Sequence, residues 1–156
     1  MIKIVKAEEK HIAEIGKLWW EFMEFNQKVD PIFTPKSSGV SDFLNQVARF
    51  MKSENGLALV AIDGTKVVGF SLSGIRKPSP VYERGEYGIL DTMAVTASYR
   101  RMGIGEKMVT EIMKWFKSKG INRVELETAA QNLVANSFWQ KNGFTIYRHR
   151  LYREIK

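Results

Sequence analysis

The segment from Ala94 to Met108, AVTASYRRMGIGEKM, holds residue types whose spacing suits the capture of an anion. Arg100 and Arg101 stand just before Gly103 and Gly105, and the apolar positions from Ile104 onward have the period of a helix. The first turn of a helix carries N–H groups without internal acceptors and a partial positive charge. Glycine places no side chain over those groups, so a phosphate can approach the backbone closely. Glycine inside a helix costs up to ~1 kcal/mol relative to alanine. Two in one turn therefore imply a compensating gain, and the segment predicts an anion cradle.

Three other phosphate loops do not fit. A dinucleotide fingerprint needs a third glycine where Met108 stands, and it follows its strand directly. The P-loop needs Gly-Lys-Ser/Thr, whereas Gly105 is followed by Glu106 and Lys107. The glycine loop of kinases joins two strands, while these glycines lead into a helix.

Other chemistries are narrowed by what the chain contains. It has no cysteine, which removes disulfides, thiolate metal sites and a cysteine nucleophile, and suits a reducing cytoplasm. His11 and His149 are far apart and lack partners at ligand spacing, so no metal site is expected and both read as surface residues. GFSLS at 69–73 lacks the second glycine of a nucleophile elbow and alternates like a plain strand. The net charge is +7, with local groups at Arg100-Arg101, Lys114-Lys117-Lys119 and Arg148-Arg150-Arg153. Such a balance is compatible with an anionic small ligand or with nucleic acid. No apolar stretch approaches the ~20 residues of a membrane helix, and MIKIVKAEEK lacks an apolar signal core.

The elements that must position the cradle follow from periodicity. Residues 2–6 alternate as a strand, and 8–26 form a helix with Ile12, Ile15, Trp19, Phe22 and Met23 inward. A loop, QKVDPIFTPKSSG, leads to a helix over 40–53. A hairpin pairs 57–62 with 66–74 around Asp63-Gly64. After a loop at 75–85 come a strand at 86–95, a helix at 103–119, a strand at 123–129, a helix at 132–142 and a final strand at 144–155. This order predicts a mixed sheet with helices on both faces, in a single domain spanning 1–156.

Arg100-Arg101-Met102-Gly103-Ile104-Gly105 resembles in full the acetyl-CoA motif of the GNAT superfamily of N-acetyltransferases: arginine or glutamine, two residues, glycine, one residue, glycine or alanine. Met93-Ala94-Val95 and Tyr99 look like that family's strand and approach loop. Asn132, Ala135, Gly143 and Phe144 resemble its second signature, an Asn-x-x-Ala helix ending in Gly-Phe. The resemblance implies an α/β fold with a mixed, mostly antiparallel sheet of six to seven strands and four flanking helices. It also implies a splay between the strands at 86–95 and 123–129. Beside Arg100, the amides of Arg101, Met102, Gly103, Ile104, Gly105 and Glu106 would hold the pyrophosphate of acetyl-CoA. Met93 and Val95 would pair with the pantetheine arm, and Asn132 would meet it from the other side. A peptide-like arm substituting for a missing strand is physically coherent.

The implied reaction is acetyl transfer to an amine without a metal. An amine whose pKa lies near ~8 to ~10.4 must lose a proton first. In family members that acetylate protein N-termini, a glutamate at the place of Glu127 is the general base. Asp91 is expected on one strand face with Ile89, Met93 and Val95, where a carboxylate suits proton acceptance. Glu125 is a weaker third candidate. Trp139 stands where many members have the tyrosine that protonates the leaving thiolate, which leaves Tyr147, Tyr99 or unaided departure. Glu21, Glu24 and Asp30 together could attract a cationic acceptor, either a small-molecule or a protein amine. A non-catalytic acetyl-CoA-binding regulator and a basic nucleic-acid-binding domain stay open as alternatives, nucleic acid being the weaker partner; a homodimer is also open.

Overall fold

The computed structural model describes all of residues 1–156. Strands β1 (Ile2–Lys6), β2 (Gly56–Asp63), β3 (Lys66–Arg76), β4 (Tyr87–Val95) and β5 (Val124–Glu125) form one sheet in sequence order. Neighbours are antiparallel from β1 to β4, and β5 runs parallel to β4. Helices α1 (Ile12–Val29), α2 (Gly39–Lys52), α3 (Ile104–Ser118) and α4 (Leu133–Lys141) complete the fold. This is the expected α/β architecture with four helices, but with five strands rather than six to seven.

Two strands differ from the sequence expectation. The strand expected over 123–129 is two residues long, because it pairs with β4 only at Gly88–Val124 and Ile89–Glu125. The strand expected over 144–155 is absent: the segment forms no ladder at all. Periodicity reports a residue's readiness for a sheet, whereas a strand exists only when a partner's main chain accepts its hydrogen bonds.

The sheet separates two cores. On one face, Ile15, Leu18 and Trp19 of α1 and Phe43 and Val47 of α2 pack on Ala58, Val60, Val67, Phe70 and Leu72. On the other, Ile104, Met108, Ile112 and Phe116 of α3 pack on Leu57, Leu59, Ala61, Val68 and Leu90. Strict alternation would not give these sets. Ala61 pairs with Gly69 and Ile62 with Val67, so Val68 is an extra residue that resets the faces of β3.

A second bulge bears directly on the site. Leu72 pairs with Thr92 and Ser73 with Leu90, which leaves Asp91 as the extra residue of β4. The bulge reverses the alternation, so Leu90 joins Met93 and Val95 in the core beneath α3. Asp91 is therefore not on the face of Met93 and Val95, contrary to the sequence expectation. It is directed to α2, where Gln46 donates to it at 3.1 Å, and Arg76 lies 3.5 Å away.

Candidate active site

The cradle occupies the junction of β4 and α3. Val95 ends the strand, a 3-10 turn covers Ala97–Tyr99, and α3 begins after Gly103. Arg101 and Gly103 both have positive φ, 61° and 74°, and Arg101 is the only non-glycine residue that does. These turns aim successive N–H groups to one side, as anion-binding concavities require. The N–H groups of Arg101, Met102, Gly103, Ile104, Gly105 and Glu106 have no main-chain acceptor, and no side chain caps the helix. Six consecutive amides are thus unengaged at the positive end of a helix of 15 residues.

The two glycines serve different purposes. A Cβ on Gly103 would meet nothing within 4 Å, so it is φ, not space, that favours glycine there, and the absence of a side chain leaves the cradle open. A Cβ on Gly105 would lie 2.9 Å from the ring of Phe138. Gly105 therefore lets α4 pack closely on α3, a purpose distinct from the access to phosphate inferred from the sequence.

Side chains around the cradle hold its approach loop. The carboxylate of Glu21 accepts from the Thr96 hydroxyl at 2.9 Å and from the Ala97 N–H at 2.8 Å, joining α1 to the turn. Arg100 donates through Nε to the Val95 carbonyl at 3.0 Å and lies 3.8 Å from Glu21. Arg101 is exposed, without an acidic partner. The Tyr99 hydroxyl donates to Asp63 at 2.9 Å, and that bond, with burial, raises its pKa. Tyr99 is thereby committed to the β2–β3 hairpin. Of the acids expected to attract an acceptor, Glu21 is engaged here and Asp30 accepts from the Ile32 N–H at 3.0 Å. Only Glu24 is exposed without a partner.

Beyond Ile89, β4 has no neighbour on the β5 side. Thr96 donates its N–H to Val68 of β3, so by alternation Ala94 also faces β3 while Met93 and Val95 present their main chain to the gap. On the gap's far side, the Asn132 side-chain oxygen caps α4 by accepting from the Ala135 N–H at 3.1 Å. Its amide nitrogen is uncommitted. Asn136, which sequence reasoning did not single out, donates to the carbonyls of Ala129 and Ala130 at 3.3 and 3.1 Å and accepts from Thr128. It fixes the loop between β5 and α4. An asparagine inside a helix directly after a strand was its only sequence signal.

The acids and the tyrosine candidates then separate. Glu125 accepts from Arg84 at 2.8 Å, from Arg123 at 2.9 Å and from the Tyr147 hydroxyl at 2.9 Å. Burial alone would raise its pKa, but the bonds from Arg123, Arg84 and Tyr147 outweigh it and hold the group at about 2 instead of 4.5. Glu125 is therefore a fixed anion and unsuited to accept a proton at neutral pH. Glu127 is 85% exposed and has only Arg150, at 3.9 Å. Trp139 packs edge-on between Phe138 and Phe144, at 4.9 and 5.3 Å, against the core beneath α3. His149 is exposed as expected, but His11 is buried at 6% exposure, its Nδ1 accepting from the Glu8 N–H.

Because the folded pKa of Glu125 is depressed, its stabilising effect is present above the unfolded value and is lost as pH falls from about 4.5 towards about 2. Glu125→Gln should lower the thermal midpoint at pH 7. The gap to the parent protein should close through that acid window, as followed by circular dichroism.

Known proteins resemble this chain in sequence and in fold. The family described as "Acetyltransferase (GNAT) family" matches residues 12–144. N-alpha-acetyltransferase 30 of Schizosaccharomyces pombe is 35% identical over 66 residues, which are 42% of this chain and 43% of that protein. The probable N-acetyltransferase camello of Xenopus tropicalis is 32% identical over 104 residues, 66% of this chain and 45% of that protein. The chain spans less than half the length of these curated relatives. An aminoglycoside N-acetyltransferase, AAC(6')-Iy, solved in complex with CoA, shares the fold with a TM-score of 0.77. It is 17% identical over 99% of this chain and 95% of that one.

Proposed function

The chain belongs to the GNAT acetyltransferase family, and from that premise we propose that it transfers an acetyl group from acetyl-CoA directly to a primary amine in a ternary complex. The observation that carries this reading is the run of unengaged amides from Arg101 to Glu106, opening beside the unpaired edge of β4. A diphosphate suits those amides and the adjacent Arg101, since each N–H then gains a charged acceptor. The amide-bearing arm of the co-substrate suits the main chain of Met93 and the N–H of Val95, whose carbonyl is held by Arg100, with the uncommitted amide of Asn132 opposite. That AAC(6')-Iy was solved with CoA supports the same choice.

With no cysteine to form a thioester on the protein, the neutral amine attacks the thioester carbonyl itself. A C–N bond forms, the C–S bond breaks, and the nitrogen's proton passes to a carboxylate or to water. Glu127 is our first choice as acceptor of that proton, because it is accessible and weakly engaged. Asp91, held by Gln46, Thr92 and Arg76, is the second. Glu127→Gln should lower kcat about a hundredfold, the low end of what a positioned base contributes, with KM for acetyl-CoA unchanged. A larger fall in Asp91→Asn reverses the assignment. Trp139 offers no acid, and the Tyr147 hydroxyl is held by Glu125 as Tyr99 is by Asp63, so the thiolate leaves unaided.

The acceptor is either a small-molecule amine or a peptide amine. Thiol release from acetyl-CoA across both classes of amine tests the proposal. Release with one class fixes the substrate. Tight CoA binding without release for any amine favours a non-catalytic acetyl-CoA-binding regulator, a reading to which Trp139 lends support. Absence of CoA binding overturns both.

A further inference from the structure

The turn that leads into the cradle has few bonds of its own. Between Val95, where β4 ends, and Arg101, the first unengaged amide, its main chain makes only two internal bonds. Tyr99 donates to the Thr96 carbonyl at 3.0 Å and Arg100 to the Ala97 carbonyl at 3.3 Å. The rest of its support comes from distant elements. Tyr99 supplies one anchor through Asp63. Glu21, in the middle of α1, supplies more. Its carboxylate accepts from the Thr96 hydroxyl at 2.9 Å and from the Ala97 N–H at 2.8 Å, and the Arg100 guanidinium lies 3.8 Å away.

One turn further along α1, on the same face of the helix, the Phe25 ring lies 5.5 Å from the Arg100 guanidinium. Arg100 also donates through Nε to the Val95 carbonyl at 3.0 Å. Its side chain therefore binds the protein, and Arg101 alone of the pair is left for an anion. Arg101 itself has φ 61°, a conformation that a residue with a side chain keeps only where its surroundings fix it. Those surroundings are the turn bound by Glu21 on one side and the start of α3 on the other. Charge alone argues against an acid in this place, because a carboxylate near an anion cradle repels the anion. Its presence is explained by what it holds and not by its field.

We propose that Glu21 is a positioning residue for the co-substrate: it locks the turn at 96–100 so that the amides from Arg101 to Glu106 are aligned before the diphosphate arrives. The inference rests on the reading that those amides hold CoA. It gives α1 a part in co-substrate binding although no residue of α1 belongs to the cradle. A turn without this lock must be ordered by the ligand itself, which lowers affinity. The reacting thioester and amine are not touched, so the effect falls on binding and not on the chemical step.

Glu21→Ala should raise the Kd for CoA in calorimetry by about ten- to a hundredfold, as when bonds to a charged group are lost. KM for acetyl-CoA should rise equally, with kcat at saturating acetyl-CoA within about twofold of the parent. Glu21→Gln keeps an acceptor oxygen for the Ala97 N–H and should recover part of the affinity. Thr96→Val deletes one of the two bonds without touching α1 and should raise Kd by about threefold or more. A field effect has the opposite sign: both Glu21 variants would bind CoA more tightly. Glu14→Gln removes the same charge from α1 two turns earlier and should leave Kd unchanged. A Kd unchanged or lower in Glu21→Ala, a kcat that falls while Kd holds, or an equal loss in Glu14→Gln overturns the proposal and leaves the cradle in place. Failure of the parent protein to bind CoA overturns the cradle as well.

Discussion

Gly103→Val should weaken CoA binding by roughly 10²–10³-fold in calorimetry while the protein stays folded. Gly103 has φ 74°, a region that a β-branched side chain does not tolerate. Holding valine there would cost about 1–3 kcal/mol, so the turn relaxes and the amides from Arg101 to Ile104 swing out of line. Each N–H bond lost to a charged acceptor removes a further ~1.5–3 kcal/mol. About 3–4 kcal/mol in total corresponds to the stated loss of affinity. The open space around that position means no steric clash with the core contributes. Gly105→Ala is the control: its Cβ meets Phe138 at 2.9 Å, so it should lower the melting temperature. An affinity for CoA within about threefold of the parent in Gly103→Val would place the diphosphate elsewhere.

Phe70→Ala should produce the largest loss of stability, about 3–5 kcal/mol. Phe70 has no exposed surface, lies edge-on to Phe43 with ring centroids 5.6 Å apart, and sits where α1 and α2 meet the middle of the sheet. Phe43 in turn stacks on Trp19 at 5.2 Å, so the cavity would open under both helices. In a chain of this size the loss lowers the melting midpoint by roughly 6–20 °C. That loss is between about a fifth and all of a total stability of about 5–15 kcal/mol. Because the cradle lies over the opposite core, beneath α3, CoA affinity at low temperature should be unchanged. A variant that loses CoA binding before it loses stability would mean that the two cores are coupled.

Much of the molecule is determined by local sequence. The helices α1 to α4 and strands β1 to β4 fall within a few residues of the positions that apolar periodicity, Asp63-Gly64 and the prolines assign. The cradle was legible for the same reason. Its ingredients, two arginines, two glycines and a helix start, are adjacent in the chain, and the physics of a helix terminus is local. What tertiary structure alone decided concerns groups whose partners are distant. Asp91 leaves the expected face because a bulge opposite Leu72 and Ser73 resets the strand. Gly105 is small because Phe138 approaches from α4. Glu21 caps a turn 75 residues away, and Glu125 is fixed as an anion by arginines from a loop and from the residue just before its own strand. Residues 144–155 carry the pattern of a strand without becoming one, since pattern prepares a segment for a sheet but only a neighbouring main chain can complete it.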